Sequence, residues 1–287
     1  MWEIFNHAIH PSLQVYLGPP DPLTSSWYLL DTPLAILTIL PLYFITISNL
    51  NRFMTGRKAL ELRGILVVYN VLQVLLSAYI CKEVLMSAIA ARYNLGCTPF
   101  NTSGQNGVRM ASAFWLFYVS KMFDLLDTVF FVLRKKDNQI TFLHMYHHSS
   151  MIFNWYLGLL YSPGGQAFFS VLLNSFVHVI MYTYYMLAAI GPRARKYLWW
   201  KRYLTQIQLA QFFCVNIHLA VGLYNRCKAP FWLNCFTITY VSTLVILFAN
   251  FYYQSYKKDR NTTPVIEEIR DRIDVNAGGD YIHNKIL

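Results

Sequence analysis

Apolar runs of about 20 residues, the length of helix that crosses roughly 30 Å of hydrocarbon, recur along this chain. They extend from Trp27 to Ser48, Gly64 to Cys81, Ala111 to Leu133, Ile140 to Tyr161, Ala167 to Ile190, Tyr203 to Leu223 and Trp232 to Gln254. Each predicts a transmembrane helix. The expected fold is therefore an all-α integral membrane protein of seven transmembrane helices. A single membrane domain would cover residues 27–254, between an N-terminal segment, residues 1–26, and a polar tail, residues 255–287. No internal repeat is evident. The tail mixes Glu267, Glu268, Asp271, Asp274 and Asp280 with Arg270, Arg272 and Lys285, a composition that predicts poor order.

Composition supports the same class, since 55% of the residues are hydrophobic and only 13% are charged. Too few polar groups remain to hydrate the surface of a soluble domain. Seven crossings put the termini on opposite sides, and the basic residues orient them. After the odd-numbered spans come Arg52, Arg57, Lys58 and Arg63; Arg134, Lys135 and Lys136; Arg193, Arg195, Lys196, Lys201 and Arg202; and Lys257, Lys258 and Arg260. The other face holds only Lys82, Arg92, Arg109, Arg226 and Lys228. The positive-inside rule places the richer set in the cytosol, which leaves the N-terminus lumenal and the C-terminus cytosolic. The net charge of +10 then reflects topology and an anionic ligand. Nucleic-acid binding is not expected, because no soluble basic domain exists to perform it.

Cys97 and Cys227 fall in loops on the oxidising side, where pairing is open to them. Asn101-Thr102-Ser103 is a glycosylation sequon in one of those loops, whereas Asn261-Thr262-Thr263 lies on the cytosolic side. Residues 1–26 lack the basic and apolar regions of a cleavable signal. Lys285 has no lysine immediately before it to complete a retrieval signal.

The chemistry is expected where polar residues interrupt the apolar runs. His144, His147 and His148 fall at i, i+3 and i+4, within about a 100° arc of one helix face. Imidazoles are costly in hydrocarbon, so that face should look into a cavity. Asn154 lies on the same face. The third span carries Lys121, Asp124, Asp127 and Thr128, and the spacing of Lys121 and Asp124 permits an intrahelical pair. That pair either serves only helix packing or belongs to a site. On a continuous helix Asp127 turns about 120° away from Lys121 and needs another partner, for which a histidine of the fourth span is the candidate. The fifth span presents Asn174, His178, Met181, Tyr182 and Tyr185 as one stripe, with His178 about 18 Å below Ile190. The sixth adds Thr205, Gln208 and Gln211, with interhelical hydrogen bonding as the plain alternative for its glutamines, and a deeper His218 that reads as structural.

These groups would line a cavity open to the cytosol, with His144 and His147 about 6 to 10 Å inside the boundary. Arg134, Lys135, Lys136, Lys196, Lys201 and Arg202 would ring its mouth. A ligand with an anionic head and an apolar tail suits such a site, and acyl-CoA has that shape. Clustered histidines first raise metal chemistry, as in a metal-dependent membrane fatty acyl oxidase or desaturase. A di-iron centre would need more histidine boxes than this chain has, while a single zinc held by three histidines stays arithmetically open. Without a metal, a neutral imidazole is a competent nucleophile toward a thioester, and no cofactor is then needed.

Lys121-Met122-Phe123-Asp124-Leu125-Leu126-Asp127-Thr128 resembles a KxxExxDT box, with Asp124 where that box has Glu. His144 to His148 forms HxxHH, His178 to Tyr185 forms HxxMYxYY, and Thr205, Gln208 and Gln211 form TxxQxxQ after Leu198-Trp199-Trp200-Lys201. With these boxes in order, the chain resembles the very-long-chain fatty acid elongase family. The resemblance implies that the last six helices form a barrel around an acyl tunnel in the endoplasmic reticulum membrane. It implies condensation of a long-chain acyl-CoA with malonyl-CoA to a 3-oxoacyl-CoA two carbons longer, with release of CO2 and CoA. His147 would be the nucleophile, and His178 with Asn174 would position and decarboxylate malonyl-CoA. His144 and His148 would orient His147 and relay protons, supported by Asp127, with Asp124 ranked below it. Gln139, Leu143 and Asn174 resemble the branch associated with polyunsaturated and very long chains. The family further implies reductase and dehydratase partners and leaves homodimerisation open. Seven crossings with an outside N-terminus also fit a receptor, but a basic cytosolic mouth has no role in sensing an extracellular ligand.

Overall fold

The computed structural model describes residues 17–98 and 104–258. The sequon at Asn101 and the tail beyond Lys258, with Asn261 and Lys285, lie outside the described residues. The described chain is helical throughout: α1 (Leu34–Met54), α2 (Arg63–Ala90), α3 (Gly104–Phe123), α4 (Leu126–Leu133), α5 (Phe142–Tyr161), α6 (Phe168–Ile190), α7 (Lys201–Tyr224) and α8 (Phe231–Tyr253), joined by short 3-10 turns. One compact unit ends at Val245 and another begins at Ile246, within α8.

By length and composition, the segments containing α1, α2, α6, α7 and α8 are apolar enough to cross a membrane. The other two expected spans fall short because of the residues that make them chemically interesting. The third divides into α3 and α4 at Asp124-Leu125, and α5 opens on His144, His147, His148, Ser149 and Ser150. Two boundaries differ from the expectation. The first helix starts at Leu34 rather than Trp27, because the amides of Leu30 and Asp31 turn back onto the Trp27 carbonyl at 2.9 and 3.0 Å and Pro33 follows. The second continues to Ala90, so Lys82 and Glu83 stand on α2 rather than in a loop, and Glu83 accepts from Arg109 at 2.6 Å.

The helices are amphipathic in the inverted sense that a lipid solvent requires. On α2 the exposed stripe is Ile65, Val68, Leu72, Leu75 and Tyr79 at alternating three- and four-residue steps, continued by Met86 and Ile89, while Tyr69, Asn70, Gln73 and Ser77 are buried. Polar groups therefore face protein, where partners are available, and methyl groups face outward. α2 packs along α6 and α3, α3 against α5, α6 against α7, and α1 against α4. Within the first unit α8 joins α5 through Tyr146–Thr243 at 2.9 Å and Ser150–Tyr240 at 2.9 Å, and joins α7 through Asn216–Ser242 at 3.1 Å.

Loops gather at both helix ends as alternating crossings require. At one end the Asp21 amide donates to the Leu160 carbonyl at 2.6 Å, Thr24 Oγ1 to Leu159 at 2.6 Å, and Asn225 to the Gly96 carbonyl at 2.9 Å. Cys97 and Cys227 are joined there by a disulfide with a Cα–Cα distance of 5.5 Å. At the other, the Leu60 amide meets the Leu133 carbonyl at 2.9 Å, and the Arg63 guanidinium donates to the Ile190 carbonyl. Gly191 ends α6 there with φ +88°, a conformation disfavoured for a residue with a Cβ, and a Cβ would also sit 3.5 Å from the Arg63 guanidinium.

Because the disulfide spans 130 residues of sequence, its loss should release considerable chain entropy on unfolding, about 2–5 kcal/mol. The Cys97→Ser/Cys227→Ser protein should melt at lower temperature in detergent, and a reductant should narrow the gap to the parent.

Candidate active site

The interruption between α3 and α4 builds one half of the site. Around Asp124 the Leu125 amide bonds to Met122 and the Asp127 amide to Asp124, each at 3.2 Å, so tighter i to i−3 bonds replace the regular ladder. Lys121 is 1% exposed, and its ammonium lies 3.3 Å from Asp124 Oδ2, 3.0 Å from Asn174 Oδ1 and 3.5 Å from His178 Nε2. It also rests 4.2 Å from the centre of the Phe117 ring. A buried ammonium needs this number of acceptors, since each unsatisfied N–H would leave charge uncompensated.

Asp124, 3% exposed, is the centre of the network. Its Oδ1 accepts from Gln73 Nε2 at 2.6 Å and from the Tyr182 hydroxyl at 2.8 Å. Its Oδ2 faces Lys121 and, at 3.8 Å, His178 Nδ1. With the Lys121 ammonium beside Nε2, the consistent tautomer has Nε2 accepting and Nδ1–H directed at Asp124. Asp127 Oδ2 lies 3.1 Å from the Tyr182 hydroxyl.

These contacts correct two expectations. Asp127 meets Tyr182 rather than a histidine of the fourth span, and it shares that phenol with Asp124. The two carboxylates stand three residues apart, about 60° from one another on one helix face, so both reach the hydroxyl that α6 presents there. The carboxylate beside an imidazole is Asp124, which sequence reasoning had ranked below Asp127.

The other half is the start of α5. Thr141 caps the helix, its Oγ1 accepting from the His144 amide at 3.2 Å, so the histidine box occupies the first two turns. The rings of His144 and His148 lie tilted against one another with centres 4.2 Å apart, and those of His147 and His148 lie 5.4 Å apart, edge to face. His144 Nε2 is 2.8 Å from Thr128 Oγ1, which is 2.7 Å from the hydroxyl of Tyr43 on α1. His148 Nδ1 is buried without a hydrogen-bond partner.

Beyond the histidines lies a cavity of about 80 Å³ lined by α5, α6, α7 and α8, among whose residues are Asn154, Asn174, Gln211, Gln166 and Asn234. The box histidines are not among its lining residues, so the expectation that all these groups share one lining is met only by Asn154, Asn174 and Gln211. His144, His147 and His148 are half-buried because they sit at the end of α5, whereas the cavity starts about one turn deeper at Met151. Gln208 instead donates to Met181 Sδ at 3.5 Å, and Tyr185 is exposed, packed edge to face on Tyr182. Arg134 and Arg202 are half-buried, and Lys135, Lys136, Lys196 and Lys201 are exposed near the corresponding helix ends. His218 is bonded to Gln166 at 3.1 Å and lies 4.5 Å from the Phe169 ring, as a structural histidine would. Among the described residues, no three His, Cys, Asp or Glu side chains converge as metal ligands would.

Gln73 and Tyr43 escaped the sequence reading. Gln73 had left a signal, an amide inside an apolar run, where a side chain needs a partner on another helix. Tyr43 had none, because a tyrosine within an apolar span resembles any core or interfacial aromatic.

The histidines of α5 and α6 and the carboxylates beside them are residue types suited to general-base and nucleophilic work, set among helices apolar enough to cross a membrane. The sequence profile of the ELO: GNS1/SUR4 family matches residues 28–264. The chain is 45% identical to very long chain fatty acid elongase 2 of Mus musculus over 272 residues, 94% of this chain and 91% of that protein. It is 43% identical to very long chain fatty acid elongase 4 of Homo sapiens over 241 residues, 84% of this chain and 77% of that one. The chain belongs to the ELO family, and it is a multi-pass membrane enzyme of fatty acid elongation.

Lys121→Met should leave the Asp124 carboxylate buried without its cation and destabilise the protein by about 3–5 kcal/mol, read as a lower melting temperature in detergent. Tyr43→Phe should release Thr128 and reduce turnover by about tenfold or less while the melting temperature stays within a few degrees of the parent.

Proposed function

We propose that this enzyme condenses a long-chain acyl-CoA with malonyl-CoA through an acyl-imidazole on His147. The observation that carries the reading is the placement of the α5 histidines beside the Lys121–Asp124–Asn174–His178 cluster, with His147 in electrostatic reach of Lys121 and His178 and His148 of Asp124, in a chain of the elongase family. A ring nitrogen of His147 attacks the thioester carbonyl, the C–S bond breaks, and CoA leaves as the thiol after taking up a proton. His144 and His148, in ring contact with each other and with the Thr128–Tyr43 chain, orient the nucleophile and carry that proton. Malonyl-CoA then loses CO2, and the electron pair released forms the bond to the acyl carbon as the C–N bond to His147 breaks. The product is a 3-oxoacyl-CoA two carbons longer, and the imidazole is regenerated.

His178 and Asn174 position malonyl-CoA in this scheme. The contacts of His178 to Lys121 and Asp124 are long, 3.5 and 3.8 Å, so the ring can turn toward an incoming thioester. The apolar chain would enter the cavity beside Asn154, Asn174 and Gln211, with Tyr182, Tyr185 and Gln208 nearer the head group. The neighbour contacts α2–α3–α5–α8–α7–α6–α2 support a six-helix barrel around such a tunnel. Arg134, Lys135, Lys136, Lys196, Lys201 and Arg202 would receive the CoA phosphates at the cytosolic mouth. A lumenal N-terminus is supported by the distribution of cations and by the disulfide at the opposite end, and membership of the elongase family favours the endoplasmic reticulum. Reductase and dehydratase partners would consume the product.

Incubation of the parent with acyl-CoA alone should add one acyl mass to the intact protein, and His147→Ala should add none while remaining folded. An acyl adduct on His147→Ala refutes the assignment.

A further inference from the structure

Gln73 lies on α2, buried, and belongs to none of the sequence boxes that drew attention to the site. Its amide nevertheless makes one of the shortest contacts in the network, 2.6 Å from Asp124 Oδ1. We infer that Gln73 is a positioning residue for the condensation half-reaction, holding the Asp124 carboxylate so that its second oxygen faces Lys121 and His178. This rests on the reading under Proposed function.

The geometry divides the carboxylate by task. Gln73 and Tyr182 occupy Oδ1 at 2.6 and 2.8 Å, and their directions fix the plane of the group. Oδ2 is then left to the ammonium of Lys121 at 3.3 Å and to His178 Nδ1 at 3.8 Å. Remove the Gln73 amide and Tyr182 alone restrains Oδ1, so the carboxylate can rotate and the His178 tautomer loses its reference. The length of the side chain makes this chain dependent on such a donor. Aspartate stands where the resembled box has glutamate, and it is one methylene short of what a glutamate at that position would reach. Gln73 extends from α2 to close the interval. A hydrogen bond serving helix packing alone would hold α2 to α3 and affect both half-reactions through loss of folded protein. A positioning bond affects only the half-reaction that uses His178.

The test measures two steps on one purified protein: the acyl adduct formed from acyl-CoA alone, by intact mass, and the elongated product formed with radiolabelled malonyl-CoA. Gln73→Leu keeps the volume and removes the donor. Condensation should fall about ten- to hundredfold, the range for a hydrogen bond to a charged group, while adduct formation stays within about threefold. Gln73→Ala should behave likewise, and Gln73→Ala/Asp124→Glu, whose longer carboxylate fills the vacated space, should recover most of the loss. If Gln73→Leu fails to fold, Gln73→Asn, which retains an amide of shorter reach, should give the same split between the two steps. Condensation undiminished in the folded variant, adduct formation lost in step with condensation, or a double variant no better than Gln73→Ala overturns the inference. A parent that forms no adduct overturns instead the acyl-imidazole reading on which it rests, so the two failures are distinguishable.

Discussion

A lysine and an aspartate inside a membrane protein are tolerable only when every exposed charge is answered, and this constraint organises the centre of the molecule. Lys121 is held by Asp124, Asn174, His178 and the face of Phe117, and Asp124 by Lys121, Gln73 and Tyr182. The partners come from α2, α3 and α6, so satisfying one ion pair requires three helices to assemble in a single register. Hydrocarbon offers no water to substitute for a missing donor, which gives these polar contacts a specificity that apolar packing between lipid-solvated helices lacks.

The interruption at Asp124-Leu125 is part of the same device. The tightened turns keep Asp124 and Asp127, three residues apart, on the side of α6, where Tyr182 meets both carboxylates. Thr128, a residue later, then reaches His144, so one irregularity in the chain connects the carboxylate cluster to the histidine box. Tyr43 extends the connection to α1. The reactive half of the molecule is thereby tied to elements outside the histidine helices, and the opposite end is fastened independently by the disulfide and the Asp21, Thr24 and Asn225 contacts. The cavity lined by α5, α6, α7 and α8 lies between these two fastened ends.

Elongation chemistry fits this division. A thioester and a carbanion equivalent both suffer in bulk water, and a site enclosed by lipid-facing helices limits hydrolysis without a separate lid. In the proposed reaction the imidazoles would supply a nucleophile and proton carriers with no permanent charge to bury. The buried charge of Lys121 is neutralised within the protein by Asp124, and the lysines at the helix ends are exposed to solvent.

Much of this was legible in the residues alone. The all-helical membrane class follows from the length of the apolar runs, and the location of the candidate site from the histidines and charges that interrupt them. What one-dimensional spacing could not supply was phase and partnership. Spacing turned Asp127 away from Lys121 but could not say which residue of which other helix would meet it. The importance of Asp124, the role of Gln73 on a different helix, and the link from Tyr43 to His144 all depend on which helix faces which. Periodicity says which side of a helix is polar, because that is a property of neighbouring residues. Only packing decides which polar side it meets, because hydrogen bonds between side chains 51 and 85 residues apart are made by tertiary contact.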